Sequence, residues 1–505
     1  MRPAPMTSNA AIFLSGRLVT LVLLMAVQVV IVRALDPSQY ALYALAFGIF
    51  ALLQVGVSFG IPKVIAQVLP RAGWDIRNRA AARLVPALIA LRVLASAVAL
   101  LAGSMVAAAL GWIALPPLAL GAAACLFILV TIVQIDLDAM AQALRLQRTS
   151  RNALVVEALV RLVLLFLLYG VGRLTLAIEI MAISSFTLSG SSIMLFLAIR
   201  RRLREADQRD DIAPLDRQPL RSMAWSAYMS SAAWFTTSPP VMRLMGGYFL
   251  AIHPFAAFSF AQALVLSIQR FTPASLLLPF VEPAIVRDYN RSGELSRLEH
   301  GLSLLIKIDM LVIGAGVIVT SCCGTLLVDW VTAGKYGDYA FVFPFLLLYI
   351  GTNSVYRSFE VAAIAVGIRS QLSALLATSL AALGLALALI PHFGLIVLLL
   401  CPIFDAACRL LLVDRLLHRL GVRKVVDLPM VGALVAIIAG ISAFGFEMSA
   451  MVTGAPILLG MTLAAMIAYL ACALALRPLR WRELAAFGWS ADHRMARLIR
   501  PLARP

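Results

Sequence analysis

Fourteen apolar stretches of about 20 residues run the length of this 505-residue chain, and its basic residues collect in every second gap between them. A bilayer core is about 30 Å thick and takes about 20 helical residues to cross, so each stretch is long enough to span it. Backbone groups left unpaired in hydrocarbon exclude any spanning structure but helices and closed barrels, and unbroken apolar runs select helices. Composition agrees: 62% hydrophobic residues against 13% charged leave roughly half the charge that a water-soluble surface carries. The sequence therefore predicts an all-α polytopic membrane protein.

The predicted spans are Ala11 to Val32, Tyr40 to Ile61, Leu84 to Leu110, Trp112 to Ile135, Ala153 to Gly172 and Leu174 to Ile199, then Met223 to Leu250, Pro254 to Phe280, Gly301 to Cys323, Phe341 to Val366, Leu372 to Ile390 and Gly394 to Val413, and last Met430 to Phe446 and Ala455 to Leu476. Six spans return a chain to its starting side, so a second six has the same orientation as the first, which fits parallel repeats. The expected organisation is an N-terminal six-helix lobe (1–199), a polar linker (200–222), a C-terminal six-helix lobe (223–413), two additional helices (414–476) and a basic tail (477–505). The tail reads as a topogenic segment, with an amphipathic surface helix as the alternative.

Orientation follows from the loops, because short Lys- and Arg-rich loops stay on the cytoplasmic side. Of 42 basic residues, 31 fall in the N-terminal tail, the even-to-odd loops and the C-terminal tail, and only Arg33, Arg173 and Lys335 in the opposite loops. Both termini are expected to be cytoplasmic. The formal charge of +17 is then a topology signal that also attracts anionic membrane lipid, and needs no nucleic-acid partner.

Eight basic residues remain inside the spans, where an unpaired charge costs on the order of 3 kcal/mol. Glu157 with Arg161, Arg357 with Glu360, and Asp405 with Arg409 are spaced to share helix faces and answer each other locally. Arg17, Arg92, Lys307 and Arg409 lie near cytoplasmic ends and could snorkel to the headgroups. Arg270 has neither excuse: it lies about 10 residues, or roughly 15 Å, from either end of its span, with no acid within a turn. Arg243 follows Pro239 and Pro240, a pair that breaks or kinks a helix. A half-helix starting there would turn freed N–H groups toward an anion, as in discontinuous transporter helices, whereas the plain alternative is a tolerated proline kink. Glu179, near the outer end of the sixth span, is either a coupling-ion site or hydrogen-bonded structure. Charged residues at this depth face a bundle interior or a water-filled cavity, so a cationic cavity with an anionic ligand is expected.

Two stretches carry a resemblance, GRLVTLVLLMAVQVVIVRALDPSQYALYALAFGIFALLQVGVSFGIPKVIAQVLPRA at the start and LLLPFVEPAIVRDYNRSGELSRL at the exit of the eighth span, joined by TAGKYGDYAFVFPFLLL before the tenth. Together they resemble the O-antigen and polysaccharide flippases of the multidrug/oligosaccharidyl-lipid/polysaccharide exporter superfamily. The resemblance implies two six-helix lobes around a central cavity and alternating access. It also implies undecaprenyl-pyrophosphate-linked oligosaccharide carried from the cytoplasmic to the outer leaflet of the bacterial inner membrane for surface polysaccharide synthesis. Polysaccharide polymerase machinery is the implied protein partner. Arginine-lined cavities recur in such relatives, and that role is carried here onto Arg270, Arg243, Arg17 and Arg92; Glu179, Arg357, Glu360, Glu157 and Arg161 are the secondary or coupling candidates.

Two rivals stand beside this reading. An integral-membrane glycosyltransferase or polymerase needs outer-face acids and an acceptor-binding domain, yet every outer loop is under about 20 residues. Asp136 and Asp138, the acids of IDLDA, fall at the cytoplasmic end of the fourth span and read as a solvated helix end. A multidrug or cation exporter of the same superfamily would want a carboxylate-lined cavity, and the excess here is basic. No cofactor, metal site or ATPase is expected, because the five His lie in separate segments, the six Cys lack ligand spacing and no phosphate-binding Gly-rich loop is present.

Overall fold

The computed structural model describes residues 6–57, 79–109, 118–144, 146–206, 225, 228–229, 232, 235–269, 271–276, 295–365, 374–419, 428–452, 454–480 and 503–504. Among the described residues the α-helices each overlap a predicted span, α7 only its second half: α1 (Met6–Ala34), α2 (Pro37–Gly56), α3 (Arg79–Ala109), α4 (Leu118–Ala143), α5 (Gln147–Gly170), α6 (Ala177–Ala206), α7 (Pro239–Phe249), α8 (Ile252–Gln269), α9 (Leu295–Thr332), α10 (Val342–Ala365), α11 (Ala374–Phe393), α12 (Leu395–Arg419), α13 (Leu428–Met451) and α14 (Ala455–Leu476). Among the described residues, eleven helical segments are long and apolar enough to cross a membrane. The chain is an all-α, multi-pass membrane protein. Of its basic tail the structure describes a two-residue parallel pairing, Leu479–Arg480 with Ala503–Arg504.

Local chemistry sets the helix ends. In RALDPSQYALYAL, Asp36 is the N-cap of α2: its carboxylate accepts from the Gln39 N–H at 2.7 Å and the Ser38 hydroxyl at 2.8 Å, and Pro37 occupies the first helical position. The Gln39 side chain then accepts from the Ala177 N–H at 3.1 Å, joining the starts of α2 and α6. In TAGKYGDYAF the chain leaves α9 through Gly334 at φ +81°, and the Gly334 N–H donates to the Asp329 carbonyl at 2.9 Å. A 3-10 turn (Gly337–Tyr339) then leads toward α10.

Contacts divide the molecule into two compact units, residues 1–260 and 261–505. Within the first, α4 packs on α6, α5 on both α1 and α6, α3 on α4, and α7 on α2. Within the second, α10 packs on α12, α11 on α12 and α9 on α10, while α13 and α14 both lie against α9. The third-to-fourth, fourth-to-sixth and fifth-to-sixth pairings of the first unit thus reappear, six helices later, in the second. Tyr469 of α14 donates to the Leu311 carbonyl of α9 at 3.0 Å, fastening one of the additional helices to this unit.

The crossing of α2 and α7 is close enough to need glycine. A Cβ at Gly48 would lie 2.8 Å from Leu244 Cδ2, and one at Gly247 would strike Leu45 and come within 3.3 Å of Phe255. Replacing Gly247 by Val is expected to cost about 1–3 kcal/mol through overpacking. Thermal unfolding of the purified protein should show a lowered midpoint for Gly247→Val and little change for Gly103→Ala, whose Cβ meets nothing within 4 Å.

Candidate functional site

In the first unit, charged side chains are resolved into interlocked pairs. Arg92 of α3 is 1% exposed; its guanidinium pairs with Asp136 of α4 and donates to the Gln54 carbonyl near the end of α2 at 2.8 Å. This overturns the expectation of a solvated helix end for Asp136, which is wholly buried. The physical reason is that α4 runs on to Ala143, two turns past the apolar run, because Asp136 has Arg92 and Asp138 has the Ser150 hydroxyl as partners. Snorkelling is overturned as well for Arg92, Lys307 and Arg409, which are 1%, 0% and 1% exposed and so cannot extend their heads to the interface.

The Glu157–Arg161 pair forms as the spacing predicts, with Arg161 Nε 3.1 Å from the carboxylate, and the Thr187 hydroxyl of α6 donates to Glu157 at 3.3 Å. Arg243 sits on the half-helix that begins at Pro239: the preceding helical segment gives way to a turn at Thr236–Thr237, and Ser238 is the extended N-cap. Arg243 is buried, donates to the Ser259 carbonyl at 3.5 Å and lies within electrostatic reach of the Tyr40 and Tyr43 hydroxyls of α2. Tyr43 also feels Arg161 and Glu157, so one buried polar network takes in Arg243, Tyr43, Arg161, Glu157 and Thr187. Glu179 is placed otherwise: its carboxylate accepts from the Thr175 and Leu176 N–H groups at 2.9 and 3.0 Å, capping the start of α6. Arg17 falls in the part of α1 of which only the backbone is described, and Arg270 lies outside the described residues.

The second unit holds a polar cavity that the spans did not announce. Gln269, Thr272, Ala274 and Ser275 line one side and Ile350, Ser354, Arg357 and Ser358 of α10 the other. The eighth span is broken here. After α8 the Phe271 and Thr272 N–H groups donate back to the Ile268 and Gln269 carbonyls at 2.9 and 3.3 Å, and a helical turn restarts at Pro273. Asp309 of α9, wholly buried, accepts from the Ala274 N–H at 2.6 Å and from the Ser354 hydroxyl. Arg357 is exposed on the cavity wall, and among the described residues no ion pair joins it to Glu360, which corrects the expected local pair. Spacing of three permits such a pair but does not choose its rotamers. The Asp405–Arg409 pair does form at 2.9 Å, with Ser379 donating to Asp405 at 3.1 Å and the guanidinium lying 4.8 Å over the Tyr356 ring.

Asp309, Ser354 and Thr272 are residues that sequence reasoning missed as a group. Pro273 inside a span was the available signal; the meeting of three separate helices was not readable from it.

No protein-family model matches the chain, and no curated protein matches it. Among solved structures it is similar to the lipid II flippase MurJ in an inward closed conformation, with TM-score 0.64 and 12% identity, over 94% of this chain and 100% of that one. It is also similar to an inward-facing multidrug-resistance MATE transporter of the MOP superfamily, with TM-score 0.58 and 13% identity, over 82% and 99%. A MATE protein in complex with MaD3S follows at TM-score 0.51 and 14% identity, over 82% and 96%. At these identities the likeness shows the fold alone, one shared with the lipid II flippase MurJ and with MATE proteins.

Removing one partner of a buried pair strands the other charge, whereas removing both can be nearly neutral. Arg92→Leu and Asp136→Leu alone are each expected to cost about 3–5 kcal/mol, and the double substitution markedly less than their sum. Thermal unfolding of the three variants measures this.

Proposed function

We propose that the chain is a flippase that moves undecaprenyl-pyrophosphate-linked oligosaccharide repeat units from the cytoplasmic to the outer leaflet for O-antigen, capsule or exopolysaccharide synthesis. The observation that carries the choice of an anionic cargo is the state of the intramembrane charges. Asp136, Glu157 and Asp405 are each consumed by an arginine, and Asp309 by N–H and O–H donors. Arg357, by contrast, stands exposed in a hydroxyl-lined cavity. A carrier of cationic drugs needs carboxylates to spare, and these are engaged.

In this reading the candidates Arg270, Arg243, Arg17 and Arg92 are each able to offer bidentate donors to the pyrophosphate, with Arg357 secondary, while the prenyl tail stays in lipid. Arg92 serves more through its grip on Asp136 and α2 than as a free ligand. Residues 1–199 and 223–413 move as the two lobes, and both termini lie in the cytoplasm of a bacterial inner-membrane protein that delivers its cargo to polymerase machinery. With an inside-negative potential, moving about two negative charges outward gains roughly 2.3 kcal/mol per charge per 100 mV. The emptied cationic cavity is drawn back inward by the same field.

Mass spectrometry of lipid-linked oligosaccharides tests the reading in cells lacking the protein and in cells carrying Arg243→Ala or Arg270→Ala. Complete undecorated repeat units should accumulate while surface polymer falls. Truncated units, or single exported units, would instead indicate a transferase or polymerase, and an unchanged lipid pool would exclude the flippase.

A further inference from the structure

We infer that Asp309 is a positioning residue whose carboxylate clamps the break in the eighth helix and thereby fixes both walls of the polar cavity in the second unit. The inference rests on the flippase reading for its consequence, though its geometry stands without it. One carboxylate oxygen accepts from the N–H of Ala274, in the turn that restarts the helix after Pro273; the other accepts from Ser354 of α10. Ala274 and Ser354 both line the cavity from different helical segments, so a single side chain of α9 ties those two segments together.

A carboxylate brought from another helix is an expensive way to satisfy one N–H group, because a buried charge at membrane depth must be fully compensated. A local cap was at hand in Thr272, which directly precedes Pro273. The Thr272 hydroxyl lies 3.1 Å from the Gln269 carbonyl and 2.9 Å from the Ser275 hydroxyl, and it also hydrogen-bonds the Asp309 carboxylate, so it turns toward α9 rather than capping the restarted turn. The cap is left to α9, and in exchange the break is tied to α9 and α10. Wholly buried, Asp309 cannot itself touch cargo. What it sets is the placing of Gln269, Thr272 and Ser275 against Ser354, Arg357 and Ser358. Misplacement of such groups by about 1 Å is enough to cost on the order of a hundredfold.

The test uses the full chain in proteoliposomes with undecaprenyl-pyrophosphate-linked oligosaccharides extracted from the cells that make them. Asp309→Leu should raise the half-saturating concentration on the order of tenfold or more, with a smaller change in maximal rate. Asp309→Asn, whose amide oxygen still accepts from Ala274, should recover most of that loss. Ser354→Ala, which breaks only the arm to α10, should fall between and serves if Asp309→Leu does not fold. Hydrogen exchange of the 274–276 amides, read by mass spectrometry, supplies a measure independent of cargo: faster in Asp309→Leu, near wild type in Asp309→Asn. Unchanged half-saturation, or a uniform loss of folded protein in all three variants, would overturn the inference. If the wild-type protein moves no lipid-linked oligosaccharide, the flippase reading fails, and exchange at 274–276 still decides whether the clamp exists.

Discussion

Hydrocarbon offers no water to satisfy a charge or a broken backbone, and this constraint governs most of what is distinctive in the structure. Each polar group carried into the membrane has to be met by another part of the same chain, so charges become joints between helices. Arg92 joins α2, α3 and α4; Glu157 and Arg161 join α5 to α6; Asp405 and Arg409 join α12 to α10 and α11. Where the backbone itself is interrupted, the same rule applies. The break at Thr236–Ser238 is followed by Pro239, which lacks the N–H it would otherwise leave bare, and the break before Pro273 is met by Asp309.

How much of this was legible in the sequence depended on distance along the chain. Spans are local and composition-driven, so each described α-helix overlaps a predicted span. The i,i+4 pairs are local too, and both of those formed. The restart at Pro239 followed from proline chemistry alone. Partners on different helices were illegible: nothing in IDLDA announces that Asp136 meets a residue 44 positions earlier, and an apolar window ends at Ile135 although the helix does not. Nothing local announces Asp309 either, whose partners come from Ala274 and Ser354. Arg17 and Arg270 remain sequence-based candidates, since the structure describes only the backbone of the one and excludes the other.

A fold shared with both a lipid II flippase and multidrug transporters does not choose between anionic and cationic cargo. The arginine-paired carboxylates and the exposed Arg357 are what support the proposal of an anionic cargo.

Reconstituted transport tests the central claim most directly. Purified protein in vesicles containing undecaprenyl-pyrophosphate-linked oligosaccharide should bring the glycan to the opposite leaflet, as judged by accessibility to an externally added glycosidase. The rate should exceed that of protein-free vesicles and rise with a potential that is negative on the side of origin. Glycan access no faster than in protein-free vesicles, with export of a cationic dye by the same vesicles, would contradict the account.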